Sequence, residues 1–294
     1  MHVTIRRRLM AMAIMVLMGI LPLTAQRGGG ARGGGPPQPA QARAPVDFTG
    51  YWVSVVTEDW RWRMVTPPKG DFVSVPLNAE GRNAAFAWDL AKDIADGNQC
   101  RAFGVGGIMR MPGRLHITWQ DPNTVKIETD AGTQTRLLRF GGAERPSGEK
   151  TWQGWSVAEW DYGELIAVSR VTQPSPGVRG SLKAVTTGMR AGYLRKNGLP
   201  YSEDAVITEY FDRDSNSPDG AQWFHVMTIV DDPKNLTQPF VTNSIFKKEP
   251  DASKWHPTPC EIAPPTVPPV TPAGGRAGGP PAGGRAGGPP AGGR

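Results

Sequence analysis

Cysteine and histidine are what this chain has least of. Its 294 residues include two cysteines and four histidines, one of which, His2, stands in the leader described below. There is no CxxC pair and no HExxH, so the ligand sets of structural and protease-type zinc sites are missing, and no metal or cofactor is expected. The Gly-x-Ser-x-Gly elbow is missing too, because Trp155-Ser156-Val157 is followed by Ala158. No apolar run after the leader approaches the roughly 20 residues of a transmembrane helix. Basic runs are equally scarce in the body, where Lys247-Lys248 is as long as one gets.

The formal net charge of +6 points toward nucleic acid or an anionic membrane until it is divided along the chain. Of 33 lysines and arginines, nine are arginines in residues 1–43 and 264–294, segments with no acid. The body between them carries 24 basic against 27 acidic residues. A phosphate-tracking surface needs its cations clustered on a folded face, so no nucleic-acid partner is expected.

Residues 1–25 have the parts of an export signal: Arg6, Arg7 and Arg8, an apolar run from Leu9 to Leu23, and Ala25 at the expected cleavage point. "IRRRLM" is a loose fit to a twin-arginine signal. The composition then divides the chain into a Gly/Pro/Arg linker (26–45), a folded body (46–263) and a low-complexity tail (264–294). In the tail the unit AGGRAGGPP occurs twice in full. Chains this rich in Gly and Pro do not bury enough apolar area to offset backbone entropy, so disorder is expected at both ends. The tail arginines would at most touch anionic envelope surfaces loosely. Export places Cys100 and Cys260 in an oxidising periplasmic or extracellular compartment, where a disulfide is expected. Closing a loop of this length contributes roughly 5 kcal/mol in the chain-entropy model.

Within the body, one segment has the pattern of a helix. "NAEGRNAAFAWDLAKDIADG" starts at Asn78 as a cap and stops at Gly97, with Phe86, Leu90 and Ile94 as an apolar stripe. The rest reads as strand. "RLHITWQ" turns through Asp121-Pro122-Asn123 into "TVKIETD", which turns through Ala131-Gly132 into "QTRLLRF". Further runs follow at 152–161, 164–171, 181–189, 205–214, 222–232 and 240–248. With "GYWVSVV" in front, this is a series of antiparallel hairpins. Closure is the arrangement that removes sheet edges. The fold class is therefore mainly β, an up-and-down antiparallel barrel of about eight to ten strands with one packed α-helix. A two-sheet β-sandwich is the alternative.

"DFTGYW" followed by a meander resembles the opening of the lipocalins, in which Gly-x-Trp on the first strand puts a tryptophan at one end of the barrel. That resemblance implies a lipocalin-like (calycin-like) architecture, with Trp52 as the plug. The segments "GRLHITWQDPNTVKIETDAGTQTRLLRFGG", "YLRKNGLPYSEDAVITEYFDRD" and "TIVDDPKNLTQPFV" resemble recurring stretches of a group of uncharacterised secreted bacterial proteins. That second resemblance implies no activity and no catalytic residues.

The candidate site residues come from the strand patterns. Trp223 and His225 share a face of their strand with Met227 and Ile229, where the imidazole is either a ligand handle or a satisfied core group. Glu209 lies among apolar neighbours and needs a partner such as Arg136, His116 or His225, or else serves as an acid. Glu159 and Asp161 share a strand face with Trp155, an arrangement suited to sugar chemistry if both carboxylates enter one cleft. Tyr193 and Tyr201 belong to the connection 193–205, read as a lid over a barrel mouth, and Trp60 and Trp62 face it from the other side. Asp212, Asp214, Asn216 and Asp219 are spaced somewhat like a calcium loop but lack its closing glutamate.

Three functions remain open. The first is an exported protein binding a small amphiphilic or apolar molecule inside the barrel. The second is an envelope enzyme using Glu209 with His225, or Glu159 with Asp161, on a sugar or lipid-like substrate. The third is a structural envelope protein.

Overall fold

The computed structural model describes residues 38–142, 144–145, 147–162, 180–214 and 220–266. The expected leader, the linker up to residue 37, the strand expected at 164–171, the loop residues Asn216 and Asp219 and the tail from residue 267 lie outside the described residues.

Strand β1 (Gly50–Val55) leads into three short helices, α1 (Trp60–Arg63), α2 (Ala79–Ala87) and α3 (Leu90–Ala95). The remaining strands are β2 (Arg114–Asp121), β3 (Thr124–Thr129), β4 (Thr135–Phe140), β5 (Trp155–Asp161), β6 (Ser181–Thr187), β7 (Gly192–Arg195), β8 (Leu199–Tyr201), β9 (Val206–Asp214), β10 (Trp223–Asp231) and β11 (Phe240–Glu249). Nine of them close a barrel in the order β1, β11, β10, β9, β6, β5, β4, β3, β2 and back to β1, and β7 and β8 form a separate hairpin.

The barrel is as expected, with one correction. β4 and β5 run parallel, with Leu138 opposite Ser156 and Phe140 opposite Ala158. A closed ring of nine strands cannot alternate direction all the way round, so an odd number of strands requires at least one parallel seam. Here the connection from residue 141 to 154 returns the chain to the barrel end where β4 began.

The inward side chains meet across the barrel axis. Trp52 sits edge-on to Phe224 with ring centres 4.6 Å apart, and its indole N–H donates to the Phe48 carbonyl at 2.8 Å. Trp119, Phe140 and Trp160 form a second aromatic group. Between hydrophobic residues lies a polar layer. Arg136 on β4 reaches Glu209 on β9, three strands round the ring, in a two-pronged ion pair whose side chains are both completely buried. Ser156 and Thr186 share a buried hydrogen bond of 2.7 Å. At these levels the barrel is of the kind filled by its own side chains.

Each barrel end has a cover. At one end the segment 38–48 crosses as a strap. Its Ala40 N–H donates to Asn123 Oδ1, the Ala40 carbonyl accepts from the Trp160 indole at 2.8 Å, and the Asp47 carbonyl accepts from Arg213. Residues 38–45, grouped by composition with the linker, are thus packed on the folded body. At the other end Ile207, Val230 and Phe240 pack with Leu194, Leu199 and Tyr201 of the hairpin and with Leu77 and Ala85 at α2.

The expected single helix is two. Asp89 adopts an extended conformation, and its carboxylate accepts from the Ala91 and Lys92 N–H groups, so it caps a new helix inside the apolar-periodic run. The break turns the intended stripe out of line and leaves Ile94 exposed. Cys100 and Cys260 are bonded, tying the turn after α3 to the chain beyond β11.

Candidate functional site

The helix break and the hairpin together build a cleft. Trp88, the last residue before the break, is buried beneath the β7–β8 turn. Gly198 in that turn has φ +81°, and a Cβ there would stand 2.1 Å from Trp88 Cγ, so only glycine lets the turn close onto the indole. The cleft beside this contact has a volume of about 280 Å³, and its walls include Trp88, Asp93, Arg101, Tyr193 and Tyr201. A second cleft of about 350 Å³ shares Trp88 and Asp89 with it and is bordered by Pro264 and Pro265 at the start of the tail.

A closed polar triangle forms part of the first cleft. The Tyr193 hydroxyl donates to Asp93 Oδ2 at 2.8 Å, and Arg101 Nη1 donates to Asp93 Oδ1 at 2.9 Å and to the Tyr193 oxygen at 3.0 Å. Burial, reinforced by the bond to Asp93, holds the Tyr193 phenol well above its ordinary range. Burial does the same to the Tyr201 phenol. Both therefore stay neutral at physiological pH, suited to donating hydrogen bonds or offering a ring face rather than to abstracting protons. Arg101 is held in place through its neighbour Cys100 and the disulfide. Among the charged residues that line the cleft, Lys92 pairs with Asp96 and Arg101 with Asp93, which leaves Asp89 and a net negative rim.

The structure separates most of the other candidates from one another. Glu209 faces the interior and is paired with Arg136, one of the partners its surroundings demanded. His225 faces the opposite way. On β10 the buried set is Phe224, Val226, Thr228 and Val230, while Trp223, His225, Met227 and Ile229 are on the outer face. The residue opposite Glu209 on β10 is Thr228, so the carboxylate and the imidazole do not meet. His225 instead lies 3.8 Å from Asp212 on the barrel exterior, and Trp223 is covered by the Lys247 ammonium at 5.1 Å.

Glu159, Asp161 and Trp155 are also on an outer face. Glu159 accepts from Lys183 at 2.8 Å and is mostly exposed, and Trp155 lies under the Arg139 guanidinium at 3.7 Å. Neither carboxylate lines the Trp88 cleft or the cleft beside it. His116 stacks flat on Tyr51 with ring centres 4.2 Å apart and has Glu128 at 3.2 Å, again outside the barrel. Trp60 is exposed, whereas the Trp62 ring has the Arg61 and Arg195 guanidinium groups over it at 4.7 and 4.6 Å.

Of the sequence candidates, then, Tyr193 and Tyr201 come together in one cleft. Trp88, Asp93 and Arg101 complete it and were not singled out from sequence. The readable signal was the Asp89 cap inside the helical run, which marks a break where the chain turns and a tryptophan is left at the corner.

Comparison of the chain with family models, with curated proteins and with solved structures returns no match.

Proposed function

We propose that the protein is an exported binding protein for a small amphiphilic molecule, taken up in the cleft between the α2–α3 break and the β7–β8 hairpin. The observation that carries this reading is the composition of the cleft. An indole and two phenols that are neutral at physiological pH border a space of about 280 Å³, near the lower end of the roughly 300–1,000 Å³ of small-molecule sites. Rings provide the apolar contact, and the Asp93–Arg101–Tyr193 triangle provides fixed polar atoms for one end of the ligand. The net negative rim favours a neutral or cationic head group over an anionic one. The buried Arg136–Glu209 and Ser156–Thr186 layer, which occupies the barrel interior where the sequence led us to expect the ligand, supports a site under the hairpin instead. Export rests on the leader in residues 1–25 and on the disulfide, which suits an oxidising compartment.

The test is mass spectrometry of an organic extract from protein purified from its native source. A compound recovered near one equivalent from wild type and lost from Trp88→Ala and Tyr193→Phe is the expected result. An extract that contains nothing stoichiometric, or a compound that the two variants retain, refutes the reading.

A further inference from the structure

On the far side of the same hairpin sequence, past Tyr193, the chain builds something chemically different. Arg63 from α1, Arg110 from the turn before β2 and Arg195 from β7 converge on a notch of about 10 Å³, with Trp62 and Lys196 beside them. All three guanidinium groups belong to residues no more than 6% exposed. Burying one such charge is costly unless an anion accompanies it.

The carboxylates present do not balance the group. Glu58 accepts from Arg63 at 3.1 Å and Asp59 accepts from Arg110 at 2.7 Å. Asp71 serves Trp62 and Arg61. Five cations (Arg61, Arg63, Arg110, Arg195 and Lys196) thus face three acids, an excess of two positive charges. Arg195 donates to the Val73 carbonyl at 2.8 Å and to Ser74 Oγ at 3.0 Å, both neutral acceptors.

Among the described residues, two N–H groups of these arginines have no acceptor: Arg110 Nη1 and Arg195 Nε. Both residues line the notch. Buried donors in native proteins are almost always satisfied, so two of them in one polar notch mark a place where an acceptor belongs. Burial and the neighbouring Arg110 bring the Arg63 and Arg195 guanidinium groups down to about 10, the mark of cations crowded together without enough negative charge.

We propose that this notch is an oxyanion site, which holds one oxygen of a phosphate-class dianion between Arg110 Nη1 and Arg195 Nε with Lys196 alongside. The two-charge excess matches a dianion. The notch is close to the size of one water-sized sphere, so it admits a ligand oxygen, while the rest of the phosphate stays outside it. This site is separate from the Trp88 cleft and carries the opposite charge preference.

Two probes distinguish a free ion from a lipid head group. They are inorganic phosphate followed by calorimetric titration, and vesicles containing phosphatidic acid followed by co-sedimentation. Both are run in chloride buffer at constant ionic strength with the full chain, its Arg195→Met variant and its Lys196→Gln variant. Binding of at least one probe by wild type is expected. Loss of a charge-assisted, fork-type contact should weaken it about tenfold or more in Arg195→Met, and Lys196→Gln, at a half-buried side chain, should weaken it measurably with the fold intact. Should Arg195→Met fail to fold, Lys196→Gln alone decides. No binding of either probe overturns the proposal. So does binding left unchanged in the folded variants, which would assign it to the arginines of the terminal segments.

Discussion

Replacing Glu209 with Gln removes one charge from a pair that has no access to water. In the folded protein Arg136 and Glu209 are both completely buried, two prongs join them, and Arg136 Nε has no acceptor of its own among the described residues. In Glu209→Gln the guanidinium keeps its charge and loses its counter-ion. Breaking a buried pair from one side costs about 3–5 kcal/mol, and for a body of this size each kcal/mol lowers Tm by roughly 2–4 °C. A fall of roughly 6–20 °C is therefore expected. Urea unfolding followed by far-ultraviolet circular dichroism, with the disulfide left intact, measures the same loss as a shift in midpoint. The double replacement Arg136→Met with Glu209→Leu should recover most of it, because an apolar pair of similar volume often equals or exceeds a buried ion pair. A loss below about 1 kcal/mol in Glu209→Gln, or a double variant less stable than Glu209→Gln, would show that the pair is not an isolated buried unit.

Three further outcomes follow from other parts of the molecule. Replacing Cys100 and Cys260 with Ser opens a loop with a sequence separation of 160 and should cost about 2–5 kcal/mol in urea unfolding; an unchanged midpoint would contradict this. Tyr193 and Tyr201 have folded pKa values raised above the unfolded value, chiefly by burial. Their contribution to stability is thus complete below the ordinary phenol range and is lost as pH climbs through the folded values. Absorbance at the tyrosinate band should show a late phase that coincides with unfolding, and Tyr193→Phe should shrink it. Gly198→Ala forces a Cβ into Trp88 at φ +81° and should destabilise by about 1–3 kcal/mol; a fully stable variant would mean that the turn does not rest on the indole.

Strand content, the closing of the barrel and the Cys100–Cys260 bond were all legible before any coordinates, because alternation, turn residues and compartment are local or compositional properties. The side of β10 that points inward was not. Trp223, His225, Met227 and Ile229 are as apolar as Phe224, Val226, Thr228 and Val230, so alternation defines two faces without ranking them. What decides is a long-range contact, Phe224 against Trp52 and Phe246, while the Lys247 side chain shelters Trp223 outside. The pairing of Glu209 was legible only as a demand for a partner, and the barrel closure selected Arg136 from three. The Trp88 cleft escaped because it depends on two residues, Trp88 and Asp89, leaving helical geometry. Periodicity reads Asp89 as part of a helix face, whereas its carboxylate is spent on capping.

The disulfide also determines how the molecule bears load. Strands β2 to β11 all lie between Cys100 and Cys260. A pull applied between residue 38 and the C-terminal tail runs along the backbone only as far as Cys100, crosses the sulfur bridge and leaves through Cys260. Ten strands are outside that path, and the strap, β1 and the three helices α1 to α3 are the parts put under tension. A body anchored by its ends to moving surfaces would yield within residues 38–99, so the cleft and the arginine notch, which draw Trp88 and Arg63 from that stretch, would open while β2 to β11 kept their shape.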